Sequence, residues 1–189
     1  MNSDCVLLDV TTVITLISDT SHRANELITK FSTYVNDAEG GNRYYNKIKS
    51  ISEEIRDEIA DPLYPKLLRV IENKKLYIVE EAHDRICDDM QIIMNVNERK
   101  RFDDLMKTVN VIKSDVSDRF KGLDATRWKK SNRAVFGTAD KLQIKLLTGN
   151  RKAAITVLDV YKYEMDIVIH RSRDLIGNRI LEYVESLPT

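Results

Sequence analysis

An apolar run that ends on a single carboxylate constrains this chain more than any other feature. It reads Cys5-Val6-Leu7-Leu8-Asp9 and is followed at once by Val10-Thr11-Thr12-Val13-Ile14. A strand covered on both faces is a continuous apolar run rather than an alternating one. Cys5 to Leu8 is therefore expected to be a buried central strand, with Asp9 at its C-terminal end and a helix starting near Thr11 or Thr12. In parallel α/β sheets, ligands bind in the crevice beyond the carboxyl ends of the strands. An acid at such a tip costs free energy unless it is paired or metal-bound. Asp9 is thus the first candidate functional residue. The competing reading makes it only the cap of the next helix.

Helical and strand patterns alternate along the rest of the chain. Leu27, Ile28, Phe31, Tyr34 and Val35 recur at helical spacing until Gly40-Gly41-Asn42 breaks the run. Ile48, Ile51, Ile55 and Ile59 mark a second helix, ended by Asp61-Pro62 because a residue before proline is biased out of the helical region. This isoleucine stripe is either internal packing or a dimer surface. Leu67, Leu68 and Ile71, after Pro65, mark a third helix and complete a helical block over about 20–73. Leu76 to Val79 is a second strand closed by Glu80 and Glu81, and the helix after it turns Ala82, Ile86, Met90, Ile93 and Met94 inward. A helix over Glu98 to Lys107, a strand over Val109 to Ile112 and a helical piece over Asp115 to Lys121 come next.

Ala134-Val135-Phe136 then leads into Gly137-Thr138-Ala139-Asp140, read as an apolar segment, a tight glycine and a second acid directly after it. Leu142, Ile144 and Leu146 alternate as a strand, and Thr148-Gly149-Asn150 stops it. A helix over Ala153 to Tyr163, a strand over Met165 to His170 and a closing helix over Leu175 to Val184 finish the pattern, with Pro188 beyond. Such alternation predicts a three-layer α/β sandwich, a parallel sheet with helices on both faces, as one domain over 1–189.

Several function classes drop out. Thirty basic and thirty acidic residues cancel, so no whole-molecule field draws in nucleic acid or membrane, and any such binding needs a local patch. Cys5 and Cys87 are too few for a disulfide framework and read as free thiols of a reducing, intracellular compartment, cytoplasmic or nuclear. No apolar run approaches the ~18 residues of a membrane span. Asp4 before the first apolar run, with no basic lead, argues against a secretory signal. The dinucleotide fingerprint, the P-loop and the nucleophile elbow are all missing. His22, His83 and His170 lack zinc-ligand spacing. What remains is carboxylates at strand ends, which suits magnesium or manganese and phosphate chemistry.

The most basic stretch is Thr126-Arg127-Trp128-Lys129-Lys130-Ser131-Asn132-Arg133, which also holds the sole tryptophan. Trp128 among Arg127, Lys129, Lys130 and Arg133 reads as a single-strand contact, since bases stack on aromatics while cations hold phosphates. The alternative is a solvated loop that Trp128 anchors to the core.

The opening Leu8-Asp9-Val10-Thr11-Thr12-Val13-Ile14 resembles that of PIN-domain nucleases: a strand, an acid, a small polar residue two places on, then a helix. Val135-Phe136-Gly137-Thr138-Ala139-Asp140, Thr148-Gly149-Asn150 and Ile169-His170 followed by Arg173 narrow the likeness to the PIN-like C-terminal domain of a poorly characterised eukaryotic family. The resemblance covers about residues 5–175 and is weakest over the helical block. It implies five parallel strands in the order 3-2-1-4-5 and a metal-dependent ribonuclease ancestry. It also assigns roles. Asp9 and Asp140 match the first and third catalytic acids, Glu80 is the choice for the second with Asp84 as its substitute, and Asn150 stands where a fourth acid is expected. Thr11 would support the first acid, and Thr138 sits beside the third.

On that resemblance, Asp9, Glu80, Asp84, Asp140 and Asn150 would surround a magnesium or manganese ion. Two unit charges about 4 Å apart repel by about 4 kcal/mol at an effective dielectric of 20. Clustered carboxylates therefore need a cation, which would then activate water for attack on a phosphodiester. Asn150 departs from this pattern, because three carboxylates and an amide do not balance two divalent ions. Three readings follow: an endoribonuclease acting on single-stranded RNA, a catalytically silent PIN-like module that binds RNA or a protein partner, and a different phosphate enzyme on a doubly wound sheet.

Overall fold

The computed structural model describes residues 2–37, 44–124 and 128–186. Gly40-Gly41-Asn42, Thr126, Arg127 and Pro188 lie outside the described residues, as do the side chains of Tyr34 and Val35.

Strand β1 (Asn2–Leu8) forms where expected, and Val6, Leu7 and Leu8 are fully buried. β2 (Lys75–Val79), β3 (Val109–Ile112), β4 (Ile144–Thr148) and β5 (Ile167–Ile169) complete a five-stranded sheet in the order β3-β2-β1-β4-β5. Every pairing is parallel, with β1 between β2 and β4 in the centre. A strand in that position has a neighbour on each edge and helices on each face, which is why its sequence carries no polar alternation.

The chain leaves β1 in one direction and reaches β4 on the other side, so the switch point of the sheet lies between β1 and β4. Right-handed crossovers then place the connections β1→β2→β3 on one face and β3→β4→β5 on the other. The first group comprises α1 (Val10–Ile17), α2 (Asp19–Asp37), α3 (Tyr45–Ala60), α4 (Tyr64–Ile71), α5 (Glu80–Arg85) and α6 (Val96–Met106). α5 continues as a π-helical turn, Ile86–Met90, and Ile93 lies outside the helix and is 52% exposed rather than turned inward. Asn95 and Glu98 form a reciprocal capping box that starts α6.

The second group comprises α7 (Asp118–Lys121), α8 (Lys130–Leu142) and α9 (Arg151–Ile155), the last continued by a π-helical turn, Thr156–Val160. Residues 134–140 were expected to be an apolar segment ending on a tip acid. They are instead the interior of α8, and all seven are buried. α8 is packed against β2, β4, α5 and α7, so it has no polar face to display a helical period.

α10 (Gly177–Glu185) joins α2 and α3 in a satellite core built from Leu27, Phe31, Ile48, Ile51, Ile55, Ile180 and Val184. The isoleucine stripe is therefore internal packing, the first of its two readings, and not a dimer surface. Ile59 is the exception at 40% exposure. Among the described residues no helix is long and apolar enough to cross a membrane.

Candidate functional site

The site begins at the tips of the two central strands. Asp9 is the N-cap of α1, and its Oδ1 accepts from the Val10 N–H at 2.7 Å. Its Oδ2 accepts from the Thr11 hydroxyl at 2.9 Å and from the Thr148 hydroxyl, at the end of β4, at 2.6 Å. Each threonine oxygen accepts in turn: Thr11 from the Gly149 N–H at 2.8 Å and Thr148 from the Asn150 N–H at 2.9 Å. The carboxylate thus sits 8% exposed at the switch point and ties the two tips together. Asp9 caps α1 from the switch point of the sheet.

Gly149 is tightly enclosed. A Cβ there would come within 3.2 Å of Thr11 Cβ and of His170 Cε1. His170 Nδ1 lies 2.6 Å from the Arg171 carbonyl, which can only accept, so the proton sits on Nδ1. Its Nε2 lies 2.8 Å from Thr12 Oγ1. Burial lowers the His170 pKa and outweighs the Arg171 carbonyl and the charge of Asp9.

From the other face, α8 delivers Asn132 in its first turn. Asn150 Nδ2 donates to Asn132 Oδ1 at 3.3 Å, and Asn150 Oδ1 accepts from the Ala153 N–H at 3.2 Å as the N-cap of α9. A groove runs beside this amide pair, lined by Lys129, Asn132, Asn150, Lys152, Thr156 and Tyr161 among others, with no carboxylate among the described residues of its lining.

Asp140 is elsewhere. It precedes β4 and borders a small cleft with Gln143, Ile144, Glu164, Met165 and Asp166, at the N-terminal rim of the sheet. Asp9 meets Thr148 at the opposite end of the same strand, roughly 13 Å away at about 3.3 Å per residue. Metal–oxygen bonds of about 2.0–2.6 Å cannot bridge that gap. Arg119 also grips Asp140 with two hydrogen bonds, Nε to Oδ2 at 2.7 Å and Nη2 to Oδ1, and Ser117 donates at 2.5 Å. Burial pushes this carboxyl up, but Arg119 and Ser117 together hold it below the ordinary range. Asp140 is therefore half of a structural ion pair, and its placement in a metal site is corrected.

The remaining expected ligands complete no cluster with Asp9 among the described residues, although the register that sets Leu7 beside Tyr77 brings Glu80 to the same rim. Glu80 is exposed at the start of α5, and exposed Asp84 lies 3.2 Å from His83 Nδ1. Thr138 is fully buried and accepts from the Asp115 N–H at 3.0 Å, so it supports the segment after β3 rather than Asp140. Asn150 has committed its carbonyl to the helix cap. Among the described residues no group of three or more His, Cys, Asp or Glu is placed to hold a metal ion. One carboxylate with three hydrogen bonds and two paired amides do not make the donor set of a magnesium or manganese centre.

The basic stretch divides in two. Trp128 is 3% exposed, packs edge-on against Phe120 and Phe136, and donates to the Tyr161 hydroxyl at 3.2 Å. A ring so enclosed cannot stack on a base, so the single-strand contact is corrected and Trp128 is the core anchor of the alternative reading. Arg133 Nη2 donates to the Leu123 and Trp128 carbonyls and closes the loop. Lys129 and Lys130 stay exposed, while Arg127 lies outside the described residues.

Two residues escaped the sequence reading. Asn132 was seen only as part of a basic loop, because nothing local marks it as the partner of Asn150. Glu81, beside the chosen Glu80, accepts from Ser114 at 2.6 Å, and its Oε2 is buried without a hydrogen-bond partner among the described residues.

Residues 24–179 match the model of a family described as a protein of unknown function, DUF1308. The chain belongs to that family. The span that defines this DUF1308 member takes in β2 to β5, the amide pair and the groove, and begins downstream of Asp9 and Thr11. No solved structure matches the chain.

Proposed function

We propose that this DUF1308 member is a PIN-like module that binds single-stranded RNA without cleaving it. The observation that carries the reading is the amide pair Asn132–Asn150, which opens onto a groove bearing Lys129 and Lys152 and, among the described residues, lined by no acid. Cations hold a backbone through counterion release, and the side-chain N–H groups of the amide pair that are not used between the two offer donors to base edges. A phosphate chain entering such a groove meets no carboxylate repulsion. The strand order supports kinship with PIN domains, and the placement of Asp140 at the opposite rim from Asp9, locked to Arg119, supports a module that holds RNA without the ion needed to cut it.

The test is fluorescence polarisation with labelled single-stranded RNA, with the probe then run on a denaturing gel. Binding should persist in EDTA, weaken as salt rises from about 50 to about 200 mM, and leave the RNA intact in Mn²⁺. Lys129→Ala with Lys152→Ala should lower the log–log salt slope by about 1.4, the share of two phosphates on a single strand. Asp140→Asn, on the far rim, should bind as the parent does. Mn²⁺-dependent cleavage lost in Asp9→Asn would restore the ribonuclease reading, and absence of binding at low salt would end the RNA reading.

A further inference from the structure

A rigid apolar knob stands in solvent where the π-helical turn after α5 passes into α6. Ile92 is 82% exposed, Ile93 52% and Val96 79%. Fully burying such a side chain is worth about 1.5–3 kcal/mol, so three together on one turn mark a surface that a partner covers.

This turn is held firmly in place. The Ile93 carbonyl accepts from the Asn178 N–H at 3.2 Å. Arg99 Nη2 clamps the Gln91 carbonyl at 2.7 Å, and the Asn95–Glu98 capping box fixes the far end. Gly177, at φ 72°, lies so close that a Cβ would sit 2.5 Å from the Ile93 carbonyl oxygen. A turn fixed from both sides presents its side chains with little ordering left to do on association. Ile92 and Ile93 also form one wall of an open groove floored by Ile14, Met90, Leu175, Ile176 and Ile180.

We propose that this face is the interface of a homodimer, with each copy's Ile92 and Ile93 seated in the other's groove. A knob beside its own receptor is what a two-fold, isologous contact requires. The charges fit the same symmetry. Exposed Asp88 and Asp89 precede the knob, exposed Lys100 follows it, and exposed Arg179 lines the groove. None of these four belongs to a described ion pair. A two-fold rotation about the knob sets the acidic flank of one copy against the basic flank of the other. A partner of one uniform charge would meet repulsion on one side.

Sedimentation equilibrium of the whole chain tests this. The parent is expected to be dimeric at micromolar concentration. Ile92→Asp should raise the dimer dissociation constant at least about thirtyfold, as for a central anchor residue, with an unchanged circular dichroism spectrum because Ile92 makes little contribution to the fold. Asp89→Lys and Lys100→Glu should each weaken the dimer, and the two combined should recover it. A parent that stays monomeric at high micromolar concentration overturns the proposal. So does an Ile92→Asp chain as dimeric as the parent, or a double charge swap no tighter than either single one.

Discussion

Burial drives the Glu54 carboxyl up to about 7, against the N–H of Asp174 that donates to it at 2.7 Å and the charges of Lys47 and Arg173. Between its unfolded value near 4.5 and that value, the folded protein keeps a proton that the unfolded chain has released. Stability therefore falls as pH rises through this window. Glu54→Gln keeps an acceptor for the Asp174 N–H and removes the ionisation. It should match the parent at pH 4, below the unfolded value, and exceed it at pH 8 by about 1–2 kcal/mol, the full shift being reduced for partial exposure. Urea unfolding at both pH values checks this. Asp9 and Asp140 make the opposite point about carboxylates. Both follow apolar residues, yet one meets hydroxyls and backbone N–H groups while the other meets a guanidinium. Sequence shows that an acid ends an apolar run; it does not show which partner waits there.

At the scale of elements, α8 departs furthest from its sequence pattern. Ala134 to Asp140 has no polar face, because sheet and helices cover it on all sides, and periodicity is a signal only where one face meets water. Gly137 is what allows α7 to approach, since a Cβ there would lie 2.6 Å from Val116 Cγ1 and 3.1 Å from Phe120 Cβ. Alanine is the better helix former by about 1 kcal/mol, but a branched side chain and a backbone-anchored Cβ cannot both retreat, and overpacking costs about 1–3 kcal/mol. Gly137→Ala should therefore destabilise by about 1 kcal/mol net. Gly122→Ala, whose new Cβ would meet nothing closer than 3.7 Å, should be neutral or better. Thermal unfolding of the two variants side by side separates the terms.

At the scale of the whole molecule, buried charges fasten the helical block to the sheet. Arg173, after β5, donates to Glu58 of α3 at 3.0 Å with both side chains under 5% exposed. Asp19, at the start of α2, takes Arg101 of α6 at 2.7 Å and the Asn95 amide at 3.0 Å. Removing one partner of a buried pair strands the other charge, at a cost of about 3–5 kcal/mol. Arg173→Ala should lose about that much. Amide hydrogen exchange should show α2 and α3 opening before β1 and β4, because their satellite core is separate from the core around the sheet.

What could be read from the chain alone was whatever repeats locally: the buried run of β1, the alternation of strands and helices, the helical block, and Asp9 and Asn150 at strand ends. Each of those leaves a mark within a few residues, because burial on one face or both dictates which neighbours are apolar. Pairings across the chain leave no such mark. Asp140 with Arg119, Asn132 with Asn150, and Trp128 with Phe120 and Phe136 were decided by the packing of α8, whose two ends lie at opposite rims of the sheet. A helix about 20 Å long separates its first turn from its last, and that length, at 1.5 Å per residue, is why Asp140 never reaches Asp9.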